Sequence, residues 1–240
     1  MNAGIYSAAS GGVSAMLRLE AIADNLANAS TVGFKAERFV QRAAAPSRAG
    51  TTQTAVPTPI NRAHLETDFS QGSITRTGNS LDVAITGPGF FVVDGKQGER
   101  LTRRGNFSLD AEGHLTSGGL RVQGDGGQIV IGPGSVEIAD DGTVRNDGNI
   151  VGKLRVVAVP DQSGLKREGG TLFALGNQTP AEPLPGAVSL TQGAIEGANV
   201  SPVESLVGLI DTMRGYEAYM HAAQQLDEIE TRTITDVGRV

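Results

Sequence analysis

The 240-residue chain has no cysteine and no tryptophan, and Tyr 3 plus Phe 7 leave it only ten aromatic side chains. Without cysteine there are no disulfides, no thiolate zinc sites and no cysteine nucleophile. No stretch approaches the roughly 20 consecutive apolar residues that a membrane-spanning helix needs. The N-terminal segment lacks a basic start followed by an apolar run, so no cleaved Sec-type signal peptide is expected. Positive charge is also short: 20 Lys+Arg against 26 Asp+Glu give a formal net charge of −6. That balance argues against a general nucleic-acid binder, which needs a dense basic footprint. Glycine is plentiful instead, at 33 residues, but without the three-residue period of collagen.

Motifs for chemistry are missing too. His64, His114 and His221 are scattered, with no HExxH spacing, and there is no Walker A sequence, no GxGxxG after a strand and no GxSxG elbow. Asp94-Gly95, Asp125-Gly126, Asp141-Gly142 and Asp147-Gly148 lack the ligand spacing of a calcium loop and read as turns. The sequence therefore assigns no catalytic, cofactor-binding or metal-binding residue, and no enzyme activity or cofactor is expected. Arg103-Arg104 reads as an exposed basic pair in a solvated hairpin.

What is present is periodicity at both ends. Ile5, Ala8, Gly12, Ala15, Leu19, Ile22 and Leu26 follow the alternating three–four spacing of a heptad seam, predicting a helix from residue 3 to about 28. The start of this seam is lean, because small residues bury little area. Near the other end, Ser201-Pro202-Val203-Glu204 reads as a capped helix start, with Pro202 at the first helical position. Val203, Leu206, Ile210 and Met213 continue the spacing. Glu217 interrupts it, and the stripe shifts to Tyr216, Met220, Ala223 and Leu226. Of these, Ile5, Ala8, Ala15, Leu19, Ile22, Leu26, Val203, Leu206, Ile210, Met213, Tyr216 and Met220 are the candidate subunit-interface residues.

Between the helices the texture changes. Residues 43–69 read as an extended linker, rich in Ala, Thr and Pro. From 70 to 190 short alternating runs predict an all-β domain: Leu81–Ile85, Phe90–Val93, Leu101–Arg103, Phe107–Leu109, Leu120–Val122, Ile129–Ile131, Val136–Ile138 and a long candidate, Val151–Val159. The expected fold is α+β. Residues 1–42 and 191–240 would supply one coiled-coil-like helical module from opposite ends of the chain, around a central β domain.

One run, Asn25-Leu26-Ala27-Asn28-Ala29-Ser30-Thr31-Val32-Gly33-Phe34-Lys35, is a shaped helix exit with no nucleophile in it. Asn28 can close the helix, Gly33 can take a positive φ, and Phe34 is expected to anchor the turn against something apolar, as part of the candidate interface. Asn25, Leu26, Ala27, Asn28, Thr31, Gly33, Phe34 and Lys35 match the NLANxxTxGFK signature, and the chain thereby resembles the flagellar rod, hook and hook-associated axial proteins. Ala198–Glu204 and Met213-Arg214-Gly215-Tyr216-Glu217 resemble the family's C-terminal helix. Thr77–Ile85, Gly89-Phe90-Phe91 and Leu101–Phe107 resemble its β domain. The similarity spans essentially the whole chain. The opening Ile5–Gly12 and the stretch Val151–Val157 resemble the proximal-rod type.

The resemblance implies a non-enzymatic subunit of the bacterial flagellar basal body. Such a subunit assembles head to tail into the hollow periplasmic drive shaft. Its partners would be copies of itself, other proximal and distal rod subunits, and the flagellar type III export apparatus. No nucleic acid and no direct membrane insertion are implied. The alternatives are a distal-rod or hook paralogue, or a ligand-binding β domain.

Overall fold

The computed structural model describes residues 2–43, 61–176, 178–183 and 186–237. The described fold is α+β, with a helix toward each end and a mostly β centre. By contacts it divides into a helical unit and a β unit.

The helical unit contains helix α1, Asn2–Ala27, helix α2, Pro202–Val237, and a strand pair. α2 starts where its cap predicts: the Ser201 hydroxyl accepts the Glu204 N–H at 3.4 Å, which satisfies one of the orphan donors of the first turn. Gly12 lies opposite the Tyr216 ring and Gly208 opposite Ile22, so the two helices run antiparallel. Close approach selects the contacting row. The Tyr219 ring sits 2.6 Å from where a side chain on Gly11 would begin, so any larger residue there requires the ring to move.

Here the structure departs from the periodic reading. α2 turns Ser205, Gly208, Thr212, Gly215 and Tyr216 inward, whereas Val203, Leu206, Ile210 and Met213 are exposed. Heptad spacing identifies an apolar face but not what covers it; inside this chain, small residues allow the helices to meet. α1 buries Gly12, Ala15 and Ala21, with Ala8, Leu19, Ile22 and Leu26 half-buried. The Ile5 side chain lies outside the described residues.

The strand pair is a second departure. Glu37–Ala43 and Asn61–Thr67 form a seven-residue antiparallel ladder, with Phe39 opposite Leu65. Residues 61–67 were expected in a linker and 37–42 in a turn. The two short alternations are far apart in sequence, and the Pro-rich composition between them hid the second one. The rest of the expected linker, residues 44–60, lies outside the described residues.

The β unit comprises Asp68–Val200 together with the short segment Asn28–Ala36. Its largest sheet has five strands in the order Val156–Val157, Phe90–Gly95, Gly98–Thr102, Leu172–Ala174 and Lys166–Arg167. A pleated strand points alternate side chains to opposite faces. In Phe90–Val93 both sets are apolar. Phe91 and Val93 enter one core with Phe107, Leu115, Val122 and Leu154, and Phe90 and Val92 enter another with Leu101, Val157 and Phe173. Burial on both faces explains an unbroken apolar run. The long candidate Val151–Val159 is split into Asn149–Lys153 and Val156–Val157, which belong to different sheets. Between them Leu154 bridges to Gly124. Ile129–Ile131 contributes a single bridge, Val130 to His114, rather than a strand.

Phe91 is fully buried and meets the Phe107 ring edge-on at 5.0 Å. Phe91→Ala is expected to cost about 3–5 kcal/mol of stability by cavity formation, read as a lower thermal midpoint. Ile150→Ala, at a side chain 65% exposed, should leave that midpoint within about 0.5 kcal/mol of its original value.

Candidate functional site

The signature run leaves α1 at Ala27 and passes through a turn in which the Thr31 N–H bonds to the Asn28 carbonyl at 2.9 Å and its hydroxyl to the Asn28 side chain. Asn28 follows the helix end as expected but does not take the left-handed conformation: among the described non-glycine residues only Asp147 has a positive φ. Gly33 then takes φ 71°, and a side chain there would begin 2.5 Å from the Arg103 carbonyl carbon. Only glycine combines that conformation with that backbone approach. The Gly33 N–H reaches the Glu196 carbonyl at 2.8 Å.

The next two side chains are buried. Phe34 is fully covered within the β unit. Its ring faces the Arg167 guanidinium at 4.7 Å, so its anchor is a cation on the ring face, in addition to any apolar neighbour. Arg167 also donates to the Lys35 carbonyl. The Lys35 ammonium donates to Glu196 Oε1 and to the Ser70 carbonyl, both at 2.7 Å. Glu196 Oε2 accepts from Arg103 Nη1 at 3.1 Å, and Oε1 also accepts the Gly72 N–H at 2.9 Å. Arg103 Nη2 donates to the Gly87 carbonyl at 2.6 Å. One carboxylate therefore serves two cations, and all three groups are buried.

Burial in this cluster outweighs the attraction of Glu196, so the Lys35 ammonium is held below its ordinary lysine pKa. Arg103 is lowered for the same reason, with Glu196 again opposing the shift.

Two asparagines close the segment. In the β unit, Asn199 Oδ1 accepts the Ala36 N–H at 2.6 Å while its amide donates to the carbonyls of Asp68 and Ser70. In the helical unit, the Asn25 carboxamide takes both the N–H and the carbonyl of Glu37, each at 2.8 Å. Elsewhere the Thr77–Asp82 turn is tied by Thr77 and Asn79 donating to the Asp82 carboxylate.

Asp110, Glu112 and His114 come together, but Arg121 pairs with both carboxylates, at 3.3 and 3.7 Å. A cleft of about 420 Å³ in the helical unit is lined by α1, the first strand and α2. It has one carboxylate, Asp211, and no histidine.

The candidate interface residues therefore fall into three groups. Val203, Leu206, Ile210, Met213 and Met220 are exposed; Ala8, Leu19, Ile22, Leu26 and Tyr216 are half-buried; Ala15 and Phe34 are buried. Phe34 has no surface left to offer a neighbour. Arg103, expected in a solvated hairpin, is only 3% exposed; its partner Glu196 is far along the chain, and no local pattern links the two. Asn199 and Arg167 were missed for the same reason.

Comparison with known proteins gives a consistent picture. Residues 5–35 match the family described as flagella basal body rod protein. Residues 84–150 match the flagellar hook protein FlgE/F/G D1 domain, and residues 191–235 the flagellar basal body rod FlgEFG protein C-terminal family. The chain is 34% identical to the flagellar basal-body rod protein FlgF of Caulobacter vibrioides over 227 residues, 92% of each chain. It is 34% identical to FlgF of Salmonella typhimurium, covering 97% of each. It is 33% identical to the rod protein FlgG of Buchnera aphidicola subsp. Schizaphis graminum, over 89% of this chain and 91% of the relative.

Glu196→Gln leaves two buried cations without an anion and is expected to cost about 3–5 kcal/mol. Lys35→Met retains the Glu196–Arg103 pair and should cost less, as read by chemical denaturation. The pH dependence has a definite sign. Between the lowered folded pKa of Lys35 and its ordinary value of 10.5, the unfolded chain binds more protons, so this group makes stability rise with pH. A titration of stability across that alkaline window should show the rise in the native chain and a flatter profile in Lys35→Met.

Proposed function

Because this chain belongs to the flagellar basal-body rod proteins, of the FlgF type, and is a structural subunit of the basal-body rod, we propose that it takes its place in the proximal rod through its helical unit. The observation that carries this reading is the row Val203, Leu206, Ile210 and Met213 on α2. These side chains are spaced three, four and three residues apart and are 47–71% exposed. Burying a large apolar side chain is worth about 1.5–3 kcal/mol, so a neighbouring helix that covers this row gains a substantial association energy. The row lies on the side of α2 opposite Gly208, Thr212 and Gly215, which turn inward, and it is exposed among the described residues.

The neighbours are other rod subunits and further copies of this chain, meeting in coiled-coil-like contacts. A surface that joins a different surface on the next subunit, without closing a ring, builds a helical tube. Met220, one heptad beyond Met213 and 43% exposed, extends the contact, whereas Ile22 and Tyr216 pack against Gly208 and Gly12 within the chain. The role is structural, with no catalysis. The subunit works in the periplasmic part of the basal body, delivered by the flagellar export apparatus.

Ile210→Asp tests this directly. In the free chain the side chain is exposed, so stability should change by no more than about 0.5 kcal/mol. In the rod the carboxylate is desolvated without a partner, so basal bodies should fail to form and swimming should be lost while export continues. Normal swimming in soft agar, with the variant exported, would refute the assignment. Glu20→Gln, on an exposed face of α1, should be silent in the same assay.

A further inference from the structure

The chain has no cysteine, no tryptophan and four methionines. Peroxides and hypohalous acids attack thiols and thioethers first among side chains, so in this protein the thioethers are the main targets. Their placement is selective. The β unit contains no methionine, and its cores are built from Phe, Leu, Ile, Val and similar groups without sulfur. Met16, Met213 and Met220 all lie on the two helices, where they are 57%, 47% and 43% exposed. Met213 belongs to the same exposed row as Val203, Leu206 and Ile210, and Met220 lies one heptad beyond it.

We propose that Met16, Met213 and Met220 form an oxidation site that controls whether a free subunit can join the rod. This rests on the assembly reading of the helical unit given above. With hydrogen peroxide, the sulfur lone pair attacks one peroxide oxygen. The S–O bond forms as the O–O bond breaks, and the departing hydroxide takes the remaining proton to become water. The thioether loses two electrons and becomes a sulfoxide, and the peroxide gains them. An apolar, adaptable contact becomes a strongly polar acceptor. In a subunit contact that oxygen is buried without a donor, so incorporation fails. The β unit, having no thioether, stays as it was. Once assembled, the residues are covered, so the sensitive interval is the free state.

The test begins with the full chain and hydrogen peroxide. Peptide mass spectrometry should show a gain of about 16 Da at each of the three residues, with the thermal transition of the β unit unmoved. In cells, an isotope-labelled pool of free subunit is oxidised in a short pulse, the oxidant is removed and assembly is allowed to resume. Sulfoxide at Met16, Met213 and Met220 should be depleted severalfold in labelled chain recovered from basal bodies, relative to the unassembled pool. As a second arm, the triple variant Met16→Gln, Met213→Gln, Met220→Gln, checked for an unchanged melt, should be exported yet missing from basal bodies. Equal sulfoxide in the two pools, resistance of the three residues to peroxide, or incorporation of the folded triple variant would each overturn the proposal. If Ile210→Asp, which changes no sulfur, also assembles normally, the failure lies in the assembly reading itself.

Discussion

The carboxylate of Glu196 is the group on which the β unit's fixed ends depend. It holds the Lys35 ammonium from the N-terminal signature and the Arg103 guanidinium from the sheet, out of contact with water. Two cations around one anion are not a cheap way to hold a chain; burial opposes the charged form of both. A buried pairing of this kind tolerates very few alternatives. Removing the anion strands both cations, whereas an apolar contact would merely loosen. The arrangement thus ties the segment 28–36 to the rest of the β unit through one carboxylate. Gly33 against the Arg103 backbone, Phe34 beneath Arg167 and Asn199 on Ala36 reinforce that seating.

This separates two tasks that the sequence had run together. The signature from Thr31 to Lys35 has the look of a recognition motif, yet its backbone and side chains are consumed inside the β unit. The surface proposed above for neighbours is the exposed row on α2, which in isolation resembles the seam of an ordinary helical hairpin. Within the chain, glycines on each helix receive Tyr216, Tyr219 and Ile22 from the other, while Val203, Leu206, Ile210 and Met213 stay exposed. A subunit that must fold alone and then associate needs this division, since a face used within the chain is not free for the next copy.

Sequence reading recovered the parts of the fold that depend on local periodicity. The two helices, the cap at Ser201, the turn at Gly33 and most short strands follow from spacings that a helix or a pleated strand imposes over a few residues. It failed where the deciding partner is distant. Glu37–Ala43 and Asn61–Thr67 are ordinary alone and become strands by pairing with each other. Arg103 looks solvated until Glu196, ninety-three positions later, is placed against it. Periodicity could not show which face of α2 meets α1, because it ranks faces by hydrophobicity, and the closest approaches here set Gly11 against the Tyr219 ring, Gly12 against the Tyr216 ring and Gly208 against Ile22. The family, by contrast, was legible from the combination of three separate motifs, each of which alone would have been ambiguous.

The absence of native cysteine allows the central claim, that the α2 row is covered by a neighbouring subunit while the signature serves the chain's own fold, to be tested with one engineered thiol. The measurement is maleimide labelling of Ile210→Cys, first in the purified free chain and then in intact basal bodies. The account predicts rapid labelling of the free chain and strong protection in the assembled rod. Equal labelling in both states would contradict it, because the row would then face solvent in the very structure it is supposed to build.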